Sequence, residues 1–137
     1  MATSVFGKLN LKEQRTIVAL NVPESFEPEL AALRDVVVRR KAGKGAKLQF
    51  GIAFAITQKQ LDDASTIFAE AAEGDAIVWI AYPKGNSRRY KCEFNRDTGW
   101  HVLRQAGFDT VRQVAIDEDW SALRFRRVEF IKARARP

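Results

Sequence analysis

The sequence predicts an α/β protein: a doubly wound, mostly parallel six-stranded sheet with three helices and a C-terminal antiparallel hairpin. Three observations carry this. Residues 16–21 (TIVALN), 49–56 (QFGIAFAI) and 76–81 (AIVWIA) are apolar, β-branched or aromatic runs without polar alternation. Such runs suit strands covered on both faces. Between them lie stretches with helix-start and helix-stop residues, and strands that alternate with helices build a parallel sheet with helices on both sides. Finally, only the acidic turn 117–119 separates the last two apolar stretches, which leaves room for an antiparallel pair and not for a crossover helix.

The run 76–81 is the natural centre, because turn formers close it on both sides, Gly74 before it and Pro83 to Gly85 after it. Residues 1–15 read as a polar arm from which Phe6, Leu9 and Leu11 can tuck inward, with residues 1–4 loose. After the first strand, Val22 and Pro23 end the extended segment. A helix starts across residues 24–28, where Pro28 is tolerated in the first turn. Glu24, Glu27 and Glu29 complement the helix dipole. Phe26, Leu30 and Leu33 share one face. A second strand is expected at 36–40 (VVVRR), a mobile basic loop at 41–47 (KAGKGAK), and the third strand at 49–56.

Thr57 and Gln60 form a capping box that opens a helix with Leu61, Ala64, Phe68, Ala71 and Ala72 inward and Gly74 as its C′ stop. After the central strand comes the loop 82–90 (YPKGNSRRY). Tyr90, Cys92 and Phe94 alternate as in a brief extended piece. Asp97 suits an N-cap for a helix carrying Trp100, Leu103 and Ala106, stopped by Gly107. The fifth strand spans 110–116 and the last 122–131, where a parity slip suggests a bulge at Arg126 and Arg127. The passage from strand two to strand three is too short for a crossover helix, so strand two is either parallel with an extended return or antiparallel in a hairpin. The expected organisation is an arm (1–15), one α/β domain (16–131) and a basic disordered tail (132–137).

Composition sets bounds. With 137 residues, 46% of them hydrophobic and 29% charged, the chain has ordinary globular make-up. Cys92 stands alone, which excludes a disulfide framework, and there is one histidine. No secretory h-region and no membrane-length apolar run is present, so a soluble cytoplasmic protein is expected. The net charge of +6 favours anionic partners in general.

The strings YPKGNSRRY, RDTGWHVLRQAGF and VRQVAIDEDWSALRFRR resemble a family of small bacterial proteins of unknown function, over roughly residues 8–131. The order of elements looks like a truncated methyltransferase version of the doubly wound (Rossmann-like) fold, with a crossover helix, a strand and a further helix missing from the middle. The resemblance implies fold only. In methyltransferases of this kind the first strand enters a glycine-rich turn that approaches S-adenosylmethionine, and an acidic residue after the second strand holds the ribose. Here the turn is Asn21-Val22-Pro23-Glu24, without glycine, and the second strand ends in Arg39 and Arg40. No cofactor is expected.

No motif commits the chain to a chemistry. In open parallel sheets ligands sit outside the carboxyl ends of the strands, which nominates Asn21, Thr57, Tyr82, Lys84, Arg88, Arg89, Asp117 and Trp120 as ligand-binding residues. Each also has a structural reading: Thr57 as an N-cap, Trp120 as core beneath the hairpin, the rest as strand-end polar groups that pair with one another. Trp79 and Trp100 read as core, and the 41–47 loop lacks phosphate-loop spacing. No metal site is indicated. The expected function is a small non-catalytic binding module for an anionic small molecule or a protein partner. One alternative is a divergent S-adenosylmethionine-dependent transferase using Lys84 with Asp117 or Asp119. The other is a nonspecific nucleic-acid binder using three basic groups, around residues 39–47, 84–91 and 124–136. No membrane partner is expected. A homodimer through an exposed sheet edge is compatible with the reading.

Overall fold

In the computed structural model, residues 5–43, 45–95 and 98–131 are described. The expected N-cap Asp97, Lys44 of the basic loop, residues 1–4 and the 132–137 tail lie outside them. The elements in order are α1 (Val5–Lys8), β1 (Thr16–Leu20), a 3-10 turn (Glu24–Phe26) running into α2 (Glu27–Ala31), β2 (Val37–Arg39), β3 (Leu48–Phe54), α3 (Gln58–Ala71), β4 (Ala72–Pro83), α4 (His101–Gln105), β5 (Phe108–Ala115), β6 (Trp120–Arg127) and a closing 3-10 turn (Val128–Phe130).

The six strands form one mixed sheet in the order β2-β1-β3-β4-β6-β5. The first four are mutually parallel, and β6 runs antiparallel to both β4 and β5. This is the doubly wound α/β arrangement with an antiparallel end that the apolar runs and the short terminal turn predict. The open question of strand two resolves as parallel. β2 and β3 flank β1, so the link between them passes over β1, with no helix among its described residues. Ala42 of that crossover packs with the α3-side core.

Alternating side chains divide the interior into two cores, one on each face of the sheet. Val18, Leu20, Ala53, Val78, Ile80, Leu123 and Phe125 face α3 and α4, where Leu61, Phe68, Trp100 and Leu103 meet them. Ile17, Ala19, Phe50, Ile52, Phe54 and Trp79 face the other way, onto Phe6, Leu9, Phe26 and Leu30 of the N-terminal segment and α2. Full burial contributes about 1.5–3 kcal/mol for each large apolar side chain. Trp79 is fully buried, and its indole N–H donates to the Leu9 carbonyl (2.8 Å), which ties the arm to the central strand. The arm is therefore partly structured, with one helical turn at α1.

Several expectations are corrected. β4 is twice as long as its apolar run, because α3 passes directly into extended backbone at Ala72. Gly74 is therefore not the C′ residue of α3. It takes a positive φ of 57° inside β4, where the β3 pairing jumps from Leu48–Ala72 to Phe50–Ile77. The last strand begins two residues early, at Trp120, and stops at Arg127. The parity slip marks the onset of a 3-10 turn, in which side chains no longer alternate, and no bulge sits at Arg126 and Arg127. The irregularity lies on the partner strand, where Val111 is the extra residue between Thr110–Phe125 and Arg112–Arg124. Tyr90, Cys92 and Phe94 belong to a loop. Its local pairing is a single bridge between Asn95 and Thr98. Among the described residues, no helix is long and apolar enough to cross a membrane.

Candidate functional site

The carboxyl ends of β1, β3 and β4 and the start of β6 come together at one edge of the sheet, and the chemistry there divides into two parts. The first is the turn after β1. Asn21 adopts φ 55°, a left-handed conformation that asparagine tolerates better than most residues. Pro23 precedes the 3-10 turn, and its carbonyl accepts from the Phe26 N–H (2.9 Å). Phe26, Phe54 and Trp120 pack beneath it in one tilted and one edge-on contact, with centroids 4.9 and 5.1 Å apart, all buried. Just beyond β2, Arg40 donates from both terminal nitrogens to the two carboxylate oxygens of Glu27 (2.7 and 2.8 Å). This bidentate pair holds the Glu27 carboxyl below its ordinary range. The arginine that replaces the expected acidic residue is thus neutralised by the first turn of α2.

The second part is the loop after β4. It walls a cavity of about 840 Å³ lined by Tyr82, Lys84, Arg88, Arg89, Lys91 and Cys92 from the loop and strand end, with Gln113 and Ser121 from β5 and β6. Among the described residues, four cationic side chains and no carboxylate line it. Tyr82 is buried between Phe94 and Trp100, and its hydroxyl accepts from Gln113 Nε2 (3.1 Å). Burial pushes the Cys92 thiol up.

The loop is built rather than loose. The Lys84 N–H donates to the Asp119 carbonyl (2.8 Å), and Ser87 Oγ donates to the Asp119 carboxylate (2.9 Å). Ser87 Oγ also accepts from the backbone N–H groups of Arg89 and Tyr90 (3.2 and 3.3 Å). Arg89 Nε lies 3.9 Å from the second Asp119 oxygen. Asp117 caps its own turn, accepting from the N–H groups of Asp119 and Trp120 (2.8 and 2.9 Å). At the far end of the loop, Glu93 Oε1 accepts from the Gln58 N–H (2.9 Å), so a carboxylate already occupies the start of α3.

Of the sequence-nominated ligand residues, Tyr82, Lys84, Arg88 and Arg89 line the cavity, whereas Asn21, Thr57, Asp117 and Trp120 do not. Thr57 is the N-cap of α3, with both halves of its capping box formed. Trp120 is buried against Phe54 and Tyr90. Among the described residues the Lys84 ammonium makes no ion pair. Its link to Asp119 runs through the backbone, and both Asp117 and Asp119 are held by turn and loop donors. Gln113 and Ser121 were not nominated. Their positions follow from β6 lying between β4 and β5, which sets Ser121 beside Tyr82.

No protein-family model matches the sequence, and no curated protein matches it. Solved structures do resemble it. A SAM-dependent methyltransferase from Aquifex aeolicus superposes with a TM-score of 0.59 at 13% identity, covering 89% of this chain and 87% of that one. The N-methyltransferase NodS from Bradyrhizobium japonicum gives 0.57 at 10% identity, covering 90% and 92%. The ribosomal protein L11 methylase from Lactobacillus delbrueckii gives 0.56 at 11% identity, covering 90% and 77%. The fold is that of S-adenosylmethionine-dependent methyltransferases.

Proposed function

We propose that this chain is a non-catalytic binding module that holds an anionic small molecule in the cavity after β4. The observation that carries the reading is the lining of that cavity, with Lys84, Arg88, Arg89 and Lys91 and, among the described residues, no carboxylate. Lys84 lies closest in sequence to the strand end and, lacking an ion-pair partner among the described residues, supplies the ammonium that meets the anion. The Ser87–Asp119 link holds the loop in shape. Tyr82 and Gln113 give the floor a hydroxyl and an amide for orientation, as expected of a pocket with a few placed polar groups.

The structural neighbours favour a second reading, a divergent S-adenosylmethionine-dependent transferase. Its support is the superposition over nearly the whole chain of NodS. Against it stand Pro23, which removes a backbone donor from the turn after β1, and the Arg40–Glu27 pair where a ribose-binding carboxylate is expected. The packed Phe26–Phe54–Trp120 cluster stands beneath that turn.

Thermal unfolding separates the readings. Inorganic phosphate, adenosine diphosphate and citrate are the anionic arm; S-adenosylmethionine and its demethylated product are the other. A ligand at a hundredfold over its Kd adds about 2.7 kcal/mol, enough to move the melt visibly. An anion is expected to raise Tm, and Lys84→Ala to lower that ligand's affinity by about tenfold through loss of a charge-assisted hydrogen bond. A shift with S-adenosylmethionine and none with the anions would replace the first reading with the second.

A further inference from the structure

The face of the sheet opposite the cavity carries a second concentration of positive charge. Arg112 and Arg124 are direct partners across β5 and β6, and Arg126 follows Arg124 at the two-residue spacing that returns a strand's side chains to one face. Arg124 is also paired with Trp79, which belongs to the core beneath α1 and α2. The cavity residue Tyr82 pairs with Ser121, at the opposite parity.

The carboxylates nearby are already engaged. Asp75 accepts from Nε and Nη2 of Arg126 (2.8 and 2.6 Å). Asp109, opposite Arg126 in register, accepts from Arg104 Nη1 (2.7 Å) and from the Thr110 N–H (2.8 Å). Arg124 has neither. It is half-buried, and its Nε is buried without a hydrogen-bond partner among the described residues. Burial and the Arg126 charge, with Arg112 adding less, depress its guanidinium from the ordinary value, and the Asp75 charge offsets part of this. A half-buried cation between two like charges, only partly offset by Asp75, gains from a further counter-charge. A tetrahedral oxyanion fits, because it accepts a planar guanidinium fork on two oxygens and keeps others for a neighbouring arginine.

We infer that Arg112, Arg124 and Arg126 form a binding site for a phosphoryl group on the β5–β6 face. Arg124 supplies the hydrogen-bonding fork from its two terminal nitrogens, Arg112 faces it from the edge strand, and Arg126 adds charge while it stays on Asp75. The group is free phosphate or the phosphoryl end of a small monoester. The site is independent of the cavity, which opens on the other side of the sheet.

The test is amide NMR of the intact protein titrated at constant ionic strength with sodium phosphate, then with glycerol 3-phosphate, against sodium chloride. Saturable shifts are expected at residues 111–113 and 123–126, and Arg124→Gln should weaken the midpoint by at least about tenfold. Arg124→Lys keeps the charge but loses the fork, so it should weaken it as well. Saturation by both probes assigns the site to the phosphoryl group itself; saturation by the ester alone assigns it to an organic phosphate. Shifts no different from those in chloride, shifts confined to residues 82–95, or an unchanged midpoint in Arg124→Gln would overturn the assignment. Should Arg124→Gln fail to fold, Arg112→Gln on the exposed edge strand replaces it, and an unchanged midpoint there is equally decisive.

Discussion

Glu27 and Arg40 show how one exchanged residue reshapes a site. A bidentate guanidinium–carboxylate pair has fixed geometry, and it crosses from the first turn of α2 to the end of β2. The hydrogen bonds to Arg40 are the main reason that the Glu27 pKa is lowered, with the Arg40 charge adding to the effect. A folded pKa below the unfolded one gives stability that is present above the unfolded value and lost as pH falls through the folded one. The pair therefore contributes at neutral pH and not in acid. Both side chains are exposed, so the contribution is small and screened by salt. Carboxyl-carbon NMR should show Glu27 titrating below an ordinary glutamate, and Arg40→Gln should return it toward that ordinary value. An unshifted Glu27 in the wild-type chain would mean that the pair does not form in solution.

At the scale of elements, α3 anchors both the core and the cavity loop. Its capping box is legible in residues 57–60 because capping is local chemistry, and its apolar stripe is legible from spacing alone. Its contact with β3 was not. Gly51 lies mid-strand, where glycine ordinarily weakens a sheet, yet a Cβ there would stand 2.8 Å from Leu48 Cδ1 and 2.9 Å from Phe68 Cε1. The glycine lets α3 lie close. Gly51→Ala should cost about 1–3 kcal/mol, in line with overpacking of a filled core, and urea unfolding would measure it. A cost near zero would show that Leu48 swings aside freely. The loop after β4 divides in the same way. Tyr82, Lys84, Arg88 and Arg89 lie within the short string 82–89, so they can be nominated from that string alone. Gln113 and Ser121 enter through strand order, which no local pattern encodes. The bulge was misplaced for a related reason: the parity slip is visible in residues 123–130, but whether a slip is a bulge or a strand end depends on the partner strand.

Across the whole molecule, charge and topology act in opposite directions. The apolar runs made the layered α/β fold legible, since strands buried on both faces admit few other architectures. The parallel setting of β2 was not legible, because eight crossover residues satisfy either geometry until β1 is seen to pair on both sides. On that frame the chain carries a net charge of +6, with arginines and lysines at the cavity and on the opposite face of β5 and β6. Like charges crowded onto one compact body repel, which costs stability, and the same charges attract an anion. Salt weakens both effects, because the screening length shrinks from about 10 Å at 0.1 M to about 3 Å at 1 M. Sodium chloride should therefore raise the Tm of the ligand-free chain while it shrinks the extra rise produced by whichever anion binds the cavity. The check is a set of melts at several salt concentrations, with and without that anion. Opposite slopes would tie binding to the basic lining. A ligand effect that ignores salt would place recognition in the apolar and amide groups around Tyr82 and Gln113 instead, and would make Lys84→Ala nearly silent.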